Sequence, residues 1–361
     1  GGLEQGRDIG IMVPNVVLNP AGGGGPGGGS FYIRGLPGVG IYVDGVWQGS
    51  AGFLEGDFVE LERLEVLRGP QGTLFGRNTN GGAINITTKA PGDEFSATGK
   101  MSVGEFNRRD GTFSLDLPIS DTLKTKWTAA SYYNDGFLKS VTVDRSFGGQ
   151  DDTIFRGDIL WEPIDSFSLR ATITDESIKS SDPRIVRFTN TKHPRYLAYN
   201  VLAGNPDFIT PTVQAAIGLP PKKLPGNRFT AQTHESGYPG GDLGQWESRS
   251  NTPTGGTSND RQFITLTANW NVTDNISIRS ITSAWQQKQR LVTDFDSSEF
   301  TVTTDDYRTE AENFTQEIHI TGDFMDDRLH FIAGYYHLNQ DSKQRFYRWA
   351  MQEFSKPGTS G

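Results

Sequence analysis

Glu62-Arg63-Leu64-Glu65-Val66-Leu67-Arg68-Gly69-Pro70-Gln71-Gly72-Thr73-Leu74-Phe75-Gly76, followed a few residues on by Gly81-Gly82-Ala83-Ile84-Asn85-Ile86-Thr87-Thr88-Lys89, is the stretch on which the fold turns. Arg63–Leu67 and Ala83–Thr88 read as short strands. Between them Pro70 suits the first position of a brief helix and Gly76 its end. Upstream stand Phe31-Tyr32-Ile33-Arg34-Gly35 and Gly40-Ile41-Tyr42-Val43-Asp44-Gly45-Val46. Tyr32–Arg34 and Gly40–Val43 add two more strands, and Asp44-Gly45 is a tight turn between strands. The result is a small α+β domain over residues 1–91, large enough to fold alone or within a larger shell.

Past Pro91 the grammar changes, and residues 92–361 read as a second unit. Phe95–Gly104 alternates Phe95, Ala97, Gly99, Met101 and Val103 with Ser96, Thr98, Lys100 and Ser102, the period of a two-faced strand. Thr112–Ile119 (Phe113, Leu115, Leu117, Ile119), Ser166–Thr174 (Phe167, Leu169, Ala171, Ile173), Phe263–Val272 (Ile264, Leu266, Ala268, Trp270, Val272) and Phe314–Thr321 repeat it. With 123–133, 153–162, 276–288 and 329–340, about nine strands of about 9–11 residues are predicted. Tight Asp-bearing turns at 118–121, 163–166, 272–275 and 325–328 alternate with long links at 104–111, 134–152, 176–260 and 289–311. Short connections at one end and long ones at the other suit a membrane barrel, and aromatic residues near strand ends (Trp127, Tyr132, Tyr133, Trp161, Trp270, Trp285) point the same way. A soluble β-sandwich or jelly roll is the competing architecture.

Composition narrows the classes. The chain has 361 residues, 44 of them Gly, 22 Phe and 11 Tyr, which suits many strands and turns. No apolar run approaches the ~20 residues of a membrane-crossing helix, whereas barrel strands read half polar and escape that test. The absence of Cys excludes a disulfide scaffold and thiolate metal sites. A net charge of -9 with interspersed signs excludes a basic nucleic-acid face. No nucleophile–base or metal constellation suggests an enzyme. Gly22–Gly27 formally satisfies a dinucleotide fingerprint, but no strand feeds it and Pro26-Gly27-Gly28-Gly29 cannot open a helix. Gly69–Gly76 lacks the Lys-Ser/Thr ending of a phosphate loop, and the five histidines show no metal spacing.

The four blocks Ile33-Arg34-Gly35, Tyr42–Val46, Glu62–Gly76 and Gly81–Lys89, in that order and spacing, resemble the plug domain of TonB-dependent outer-membrane receptors. The resemblance implies a mainly β protein: a small α+β plug followed by antiparallel transmembrane strands. Such a lumen-plugged barrel has 22 strands; with about nine present, the plug is expected to be N-terminally and the barrel C-terminally incomplete. It further implies energised import of a scarce nutrient, by default a ferric siderophore, in the outer membrane of a Gram-negative bacterium. TonB with its inner-membrane energising complex, outer-membrane lipid and a small-molecule substrate are the implied partners, with no nucleic acid. No resident cofactor is implied; iron or another metal would travel with the cargo. A structural subunit anchoring partner proteins is the alternative.

The resemblance also assigns residues. Arg34, Glu62, Arg63, Glu65 and Arg68 are expected to hold the plug against the inner wall. Outward plug loops would be 22–29, the link 36–39 with Pro37, and the segment after Asp44-Gly45 with Trp47 and Gln48, of which Trp47 offers apolar area and one donor to a ligand. The 176–260 link exceeds the usual ~12–15 residue ceiling for structureless loops and reads as a lid or a disordered segment. The acidic residues of 294–312 read as a solvated surface loop rather than a cation site.

Overall fold

The computed structural model describes residues 9–10, 12–19, 30–48, 59–72, 79–140, 143–180, 247–248, 256–294, 303–325 and 328–350. Six strands build the first unit: β1 (Val16–Asn19), β2 (Ser30–Ile33), β3 (Val39–Val43), β4 (Val46–Trp47), β5 (Leu61–Arg68) and β6 (Gly82–Thr88). β1 pairs antiparallel with β2, and the others form a sheet in the order β4-β3-β6-β5. β3 and β6 are parallel and β5 is antiparallel to β6. Phe31, Ile33, Ile41, Val43, Ile84 and Ile86 close on one another with Ile9 and Val16 to make its core. Asp44 and Gly45 both have positive φ (50° and 87°), the backbone of a two-residue hairpin whose twist matches its strands. The four strands read from sequence are present; β1 and β4, of four and two residues, are too short to show a period. The helix expected over Pro70–Gly76 falls largely on residues outside those described.

The second unit is one curved antiparallel sheet. Its members are β7 (Ser96–Gly104), β8 (Arg108–Ser120), β9 (Leu123–Asn134), β12 (Gln150–Ile164), β13 (Phe167–Ser180), β15 (Gly256–Thr273), β16 (Ile276–Asp294), β17 (Thr303–Phe324) and β18 (Leu329–Ala350), nine strands in sequence order. Between β9 and β12 lie β10 (Leu138–Ser140) and β11 (Ser146–Phe147), which join β14 (Glu247–Ser248) in a small separate sheet. Alternation sorts the side chains. Trp127, Phe155, Ile159, Trp161, Ile173, Ile264, Leu266 and Trp270 are exposed on the outer face, while Thr128, Arg156, Asp158, Thr172, Arg261, Thr265 and Ser283 are buried on the inner one. A convex apolar belt over a polar concave face is the reverse of a soluble sandwich, whose facing sheets hide their apolar sides.

Three expectations need correction. Strand length runs from 9 to 22 residues rather than about 9–11. At ~3.3 Å per residue and ~45° tilt, 22 residues rise about 50 Å against a hydrocarbon core of ~30 Å. β16 and β17 therefore continue past the belt, whose last outward apolar residue on β17 is Phe314, as a largely polar hairpin, while β18 exposes Phe346, Tyr347 and Trp349 at that end. The same continuation shortens two links. Glu105–Asn107 alone turns β7 into β8, with Phe106 and Asn107 at φ 55° and 57°, and β16 and β17 are separated only by residues 295–302. Trp285, expected among the aromatic residues near strand ends, lies well inside β16 and is 8% exposed on the inner face, where the register places it between Phe263 and Asn313.

Candidate plug–wall interface and lumen cavity

The plug sheet sits against the concave face of the wall. β3 runs towards the short-turn end: a Cβ on Gly45 would stand 3.0 Å from Ile281 Cδ1, only five residues into β16. β6, parallel to β3, ends beside it at Thr88. There the Thr88 hydroxyl donates to Asp44 Oδ2 (2.6 Å) and accepts from Arg156 Nη2 (2.7 Å) and Arg170 Nη2 (3.0 Å). Arg170 also donates to the Lys89 carbonyl (2.8 Å), and Arg156 reaches Asp44 (3.3 Å). Asp158 anchors both guanidinium groups from the wall, at 2.9 Å from Arg156 Nε and 2.8 Å from Arg170 Nη2. On β9, Lys126 lies between Glu60 of the plug (3.4 Å) and Asp116 of β8 (3.0 Å), and Thr128 donates to Glu60 (3.1 Å). With each charge given an opposite partner and several hydrogen bonds, the cost of burying them is offset.

The contact with β15–β17 is of another kind. Val46 packs with Phe263, Ile281, Trp285 and Ala311 in an apolar cluster. The polar tie is Gln48, buried, which donates to the Val46 carbonyl (3.0 Å) and accepts from Arg261 Nη2 (3.0 Å). Arg261 is itself ion-paired to Glu176 at 3.0 Å. Below the cluster, towards the short turns, a cavity of about 890 Å³ opens between plug and wall. Trp47, Arg63 and Asn85 line it from the plug; Arg170, Thr265, Arg279 and His319 line it from the wall.

The residues singled out from sequence are dispersed. Trp47 is half-buried on the cavity and Gln48 lies under Arg261, so both stand beside the wall on the rising strand after the turn, not in an exposed outward loop. Pro37, exposed, lies at the opposite end of β3, where Gly81 N–H donates to the Gly38 carbonyl (2.9 Å). Arg34, Glu62, Arg63 and Arg68 are exposed, Arg63 stands 3.4 Å from Glu65, and Glu65 accepts from Asn85 at 2.9 Å. Bonds that cross to the wall come from Asp44, Gln48, Glu60, Thr88 and the Lys89 carbonyl. The wall partner Arg156 was legible in principle: with Asp152 and Asp158 it places charges on one face of β12, the signature of a wet inner face.

The stretches 22–29 and 181–246 lie outside the described residues. Of the 294–312 acids, Asp305 and Asp306 are not solvated: Arg348 reaches Asp305 (2.7 Å), and Arg290 and Arg308 both reach Asp306 (2.9 Å). Burial alone would raise the Asp306 pKa, but hydrogen bonds from Arg290 and Arg308 and their charge hold it below the ordinary carboxylate range.

Residues 5–83 match the TonB-dependent Receptor Plug Domain family. The chain is 39% identical over 89 residues to the pesticin receptor of Yersinia enterocolitica, a match covering 24% of this chain and 13% of that protein. It is 34% identical over 96 residues to the catecholate siderophore receptor Fiu of Escherichia coli, covering 26% and 12%. Among solved structures, the ferric yersiniabactin uptake receptor FyuA from Yersinia pestis superposes with a TM-score of 0.71 at 17% identity, over 97% of this chain and 48% of that one. The siderophore receptor PiuA from Acinetobacter baumannii superposes at 0.69 with 17% identity, over 93% and 43%. The chain thus spans less than half the length of either solved receptor, and within that span its plug sequence and its wall fold agree. Residues 5–83 thus match a plug domain of the TonB-dependent receptors, and the plug together with nine wall strands has the fold of the solved receptors.

Proposed function

We propose that the chain acts in TonB-dependent import of a ferric siderophore across the outer membrane of a Gram-negative bacterium. The observation that carries this reading is a plug sheet seated on the polar concave face of a wall whose convex face is an apolar belt. Such a lumen is closed to free diffusion at rest, which disfavours a passive pore, and its stopper is held by separable polar contacts and one small apolar cluster at Val46. A pull on the plug from TonB and its inner-membrane energising complex is the work that such contacts would yield to. Relatives named as siderophore receptors make an iron chelate the first substrate to try. Pro37 would meet ligand from outside, with Trp47 and Gln48 meeting it deeper in the lumen. Arg34, Glu62, Arg63, Glu65 and Arg68, grouped on the edge strand β5 and the turn after β2, would form a further set of plug contacts. The test is uptake of radiolabelled ferric siderophores by cells producing the receptor, with and without TonB. Uptake that needs TonB supports import. Binding partners but no TonB-dependent uptake, across catecholate and other chelates, would favour a structural subunit.

A further inference from the structure

We propose that solute crosses the lumen along the inner faces of β15, β16 and β17, on a hydrated seam narrowed where Val46 of the plug meets Phe263, Ile281 and Trp285. This rests on the import reading and specifies its route.

Two independent observations converge on that side. First, buried polar atoms with no hydrogen-bond partner among the described residues gather there: Thr265 Oγ1, Ser283 Oγ, Trp285 Nε1, Gln289 Oε1, Thr293 Oγ1, Thr309 Oγ1 and both side-chain polar atoms of Asn313, with Thr174 Oγ1 on the adjoining β13 in the same condition. Strand register makes them a continuous track, since Thr265 faces Ser283 and Trp285 faces Asn313, with Gln289 opposite Thr309 nearer the long-loop end. None of the corresponding atoms of β8, β9 or β12 is in this condition among the described residues. Burying an amide or hydroxyl without a partner costs about 1–3 kcal/mol, so a run of them persists only where ordered water supplies the bonds. Second, the track leads directly into the 890 Å³ cavity, whose lining shares Thr265 and Ile281 with it and continues to Arg279 and His319 near the short turns.

The two sides therefore resist opening differently. Shifting the plug from β9 and β12 separates the pairs Arg156–Asp44 and Lys126–Glu60; the wall cations keep Asp158 and Asp116, but the buried Glu60 loses its cation. On the β15–β17 side it parts apolar surfaces and the Gln48–Arg261 bond, and the polar atoms beyond are already suited to water. A polar solute could exchange with that water without leaving wall groups unpaired.

Because residues 1–361 contain no cysteine, single thiols engineered there are read against the unsubstituted receptor treated in parallel. Thr265→Cys, Ser283→Cys and Asn313→Cys would be introduced into the receptor assembled in outer membranes and treated with a charged methanethiosulfonate reagent. Ser114→Cys and Thr128→Cys, buried on β8 and β9, are the comparison. Modification of the seam thiols roughly tenfold faster than the comparison thiols is expected, since reaction needs a hydrated thiolate. Trp285→Ala should speed it further; Trp285→Phe, which keeps the apolar ring if the smaller residue disturbs assembly, should not. Equal or slower modification of the seam thiols in assembled receptor overturns the route. Labelling needs neither TonB nor siderophore, so its outcome is separate from uptake. Seam labelling without uptake removes import and leaves the hydrated track, whereas uptake with an unreactive seam removes this route alone.

Discussion

Thr88 donates its hydroxyl hydrogen to Asp44, 44 residues earlier in the plug, across 2.6 Å at the point where Arg156 and Arg170 of the wall both arrive. One hydroxyl gives its single hydrogen to the carboxylate and both lone pairs to the guanidinium groups, the full capacity of a threonine. The plug's lower edge and the wall are thus tied through an atom contributed by neither strand of an ion pair.

Thr88→Val keeps the shape and removes the hub. Arg156 and Arg170 retain Asp158, so the wall should assemble, but the lost bonds should weaken plug seating by about 1–3 kcal/mol. Limited proteolysis in rising urea should release plug peptides from the variant at lower denaturant than from the parent, with the barrel band unchanged.

A sharper contrast is expected between two arginines. Arg156→Ala leaves Asp44 without its wall cation and the buried Asp158 with Arg170 alone, and should cost about 1–3 kcal/mol. Arg68→Ala, exposed at the end of β5, should leave plug stability unchanged and, if it serves as a plug contact, increase ion conductance through reconstituted receptor. Equal conductance with equal stability would mark Arg68 as a bystander.

Gly82 opens β6 at φ 149°, and a Cβ there would collide with the Leu67 carbonyl oxygen of β5 and stand 2.7 Å from Ile33 Cδ1. Gly82→Ala should disorder the β5–β6 pairing while sparing the wall. Hydrogen exchange should quicken across Leu61–Thr88 and stay slow in β15–β18; protection of both would show that the plug tolerates the methyl group.

Acid should loosen the outer hairpins. The folded pKa of Asp306 lies below its unfolded value, so the stability it contributes is present above the unfolded carboxylate range near ~4 and is lost as pH falls through the lower folded value. Exchange at the long-loop ends of β16–β18 should rise below about pH 4, and Asp306→Asn should show that faster exchange already at neutral pH.

The amino-acid sequence determined the elements whose cause is local. Asp44-Gly45 makes a hairpin turn because both positions accept positive φ, and Ile264, Leu266, Ala268, Trp270 and Val272 face one way because a strand has period two. Plug strands β2, β3, β5 and β6 and the number of wall strands were legible for the same reason. What only the tertiary structure decided was where strands end and which inner-face groups meet. The largely polar hairpin of β16 and β17 beyond the belt lacks an apolar rhythm, so the true lengths of those strands were hidden. Trp285 looks like any belt aromatic until the register with Phe263 turns it towards Val46. The Thr88 hub joins residues 44, 88, 156 and 170, whose proximity is set by a parallel pairing and a wall strand, and pairing of that range leaves no mark on local spacing.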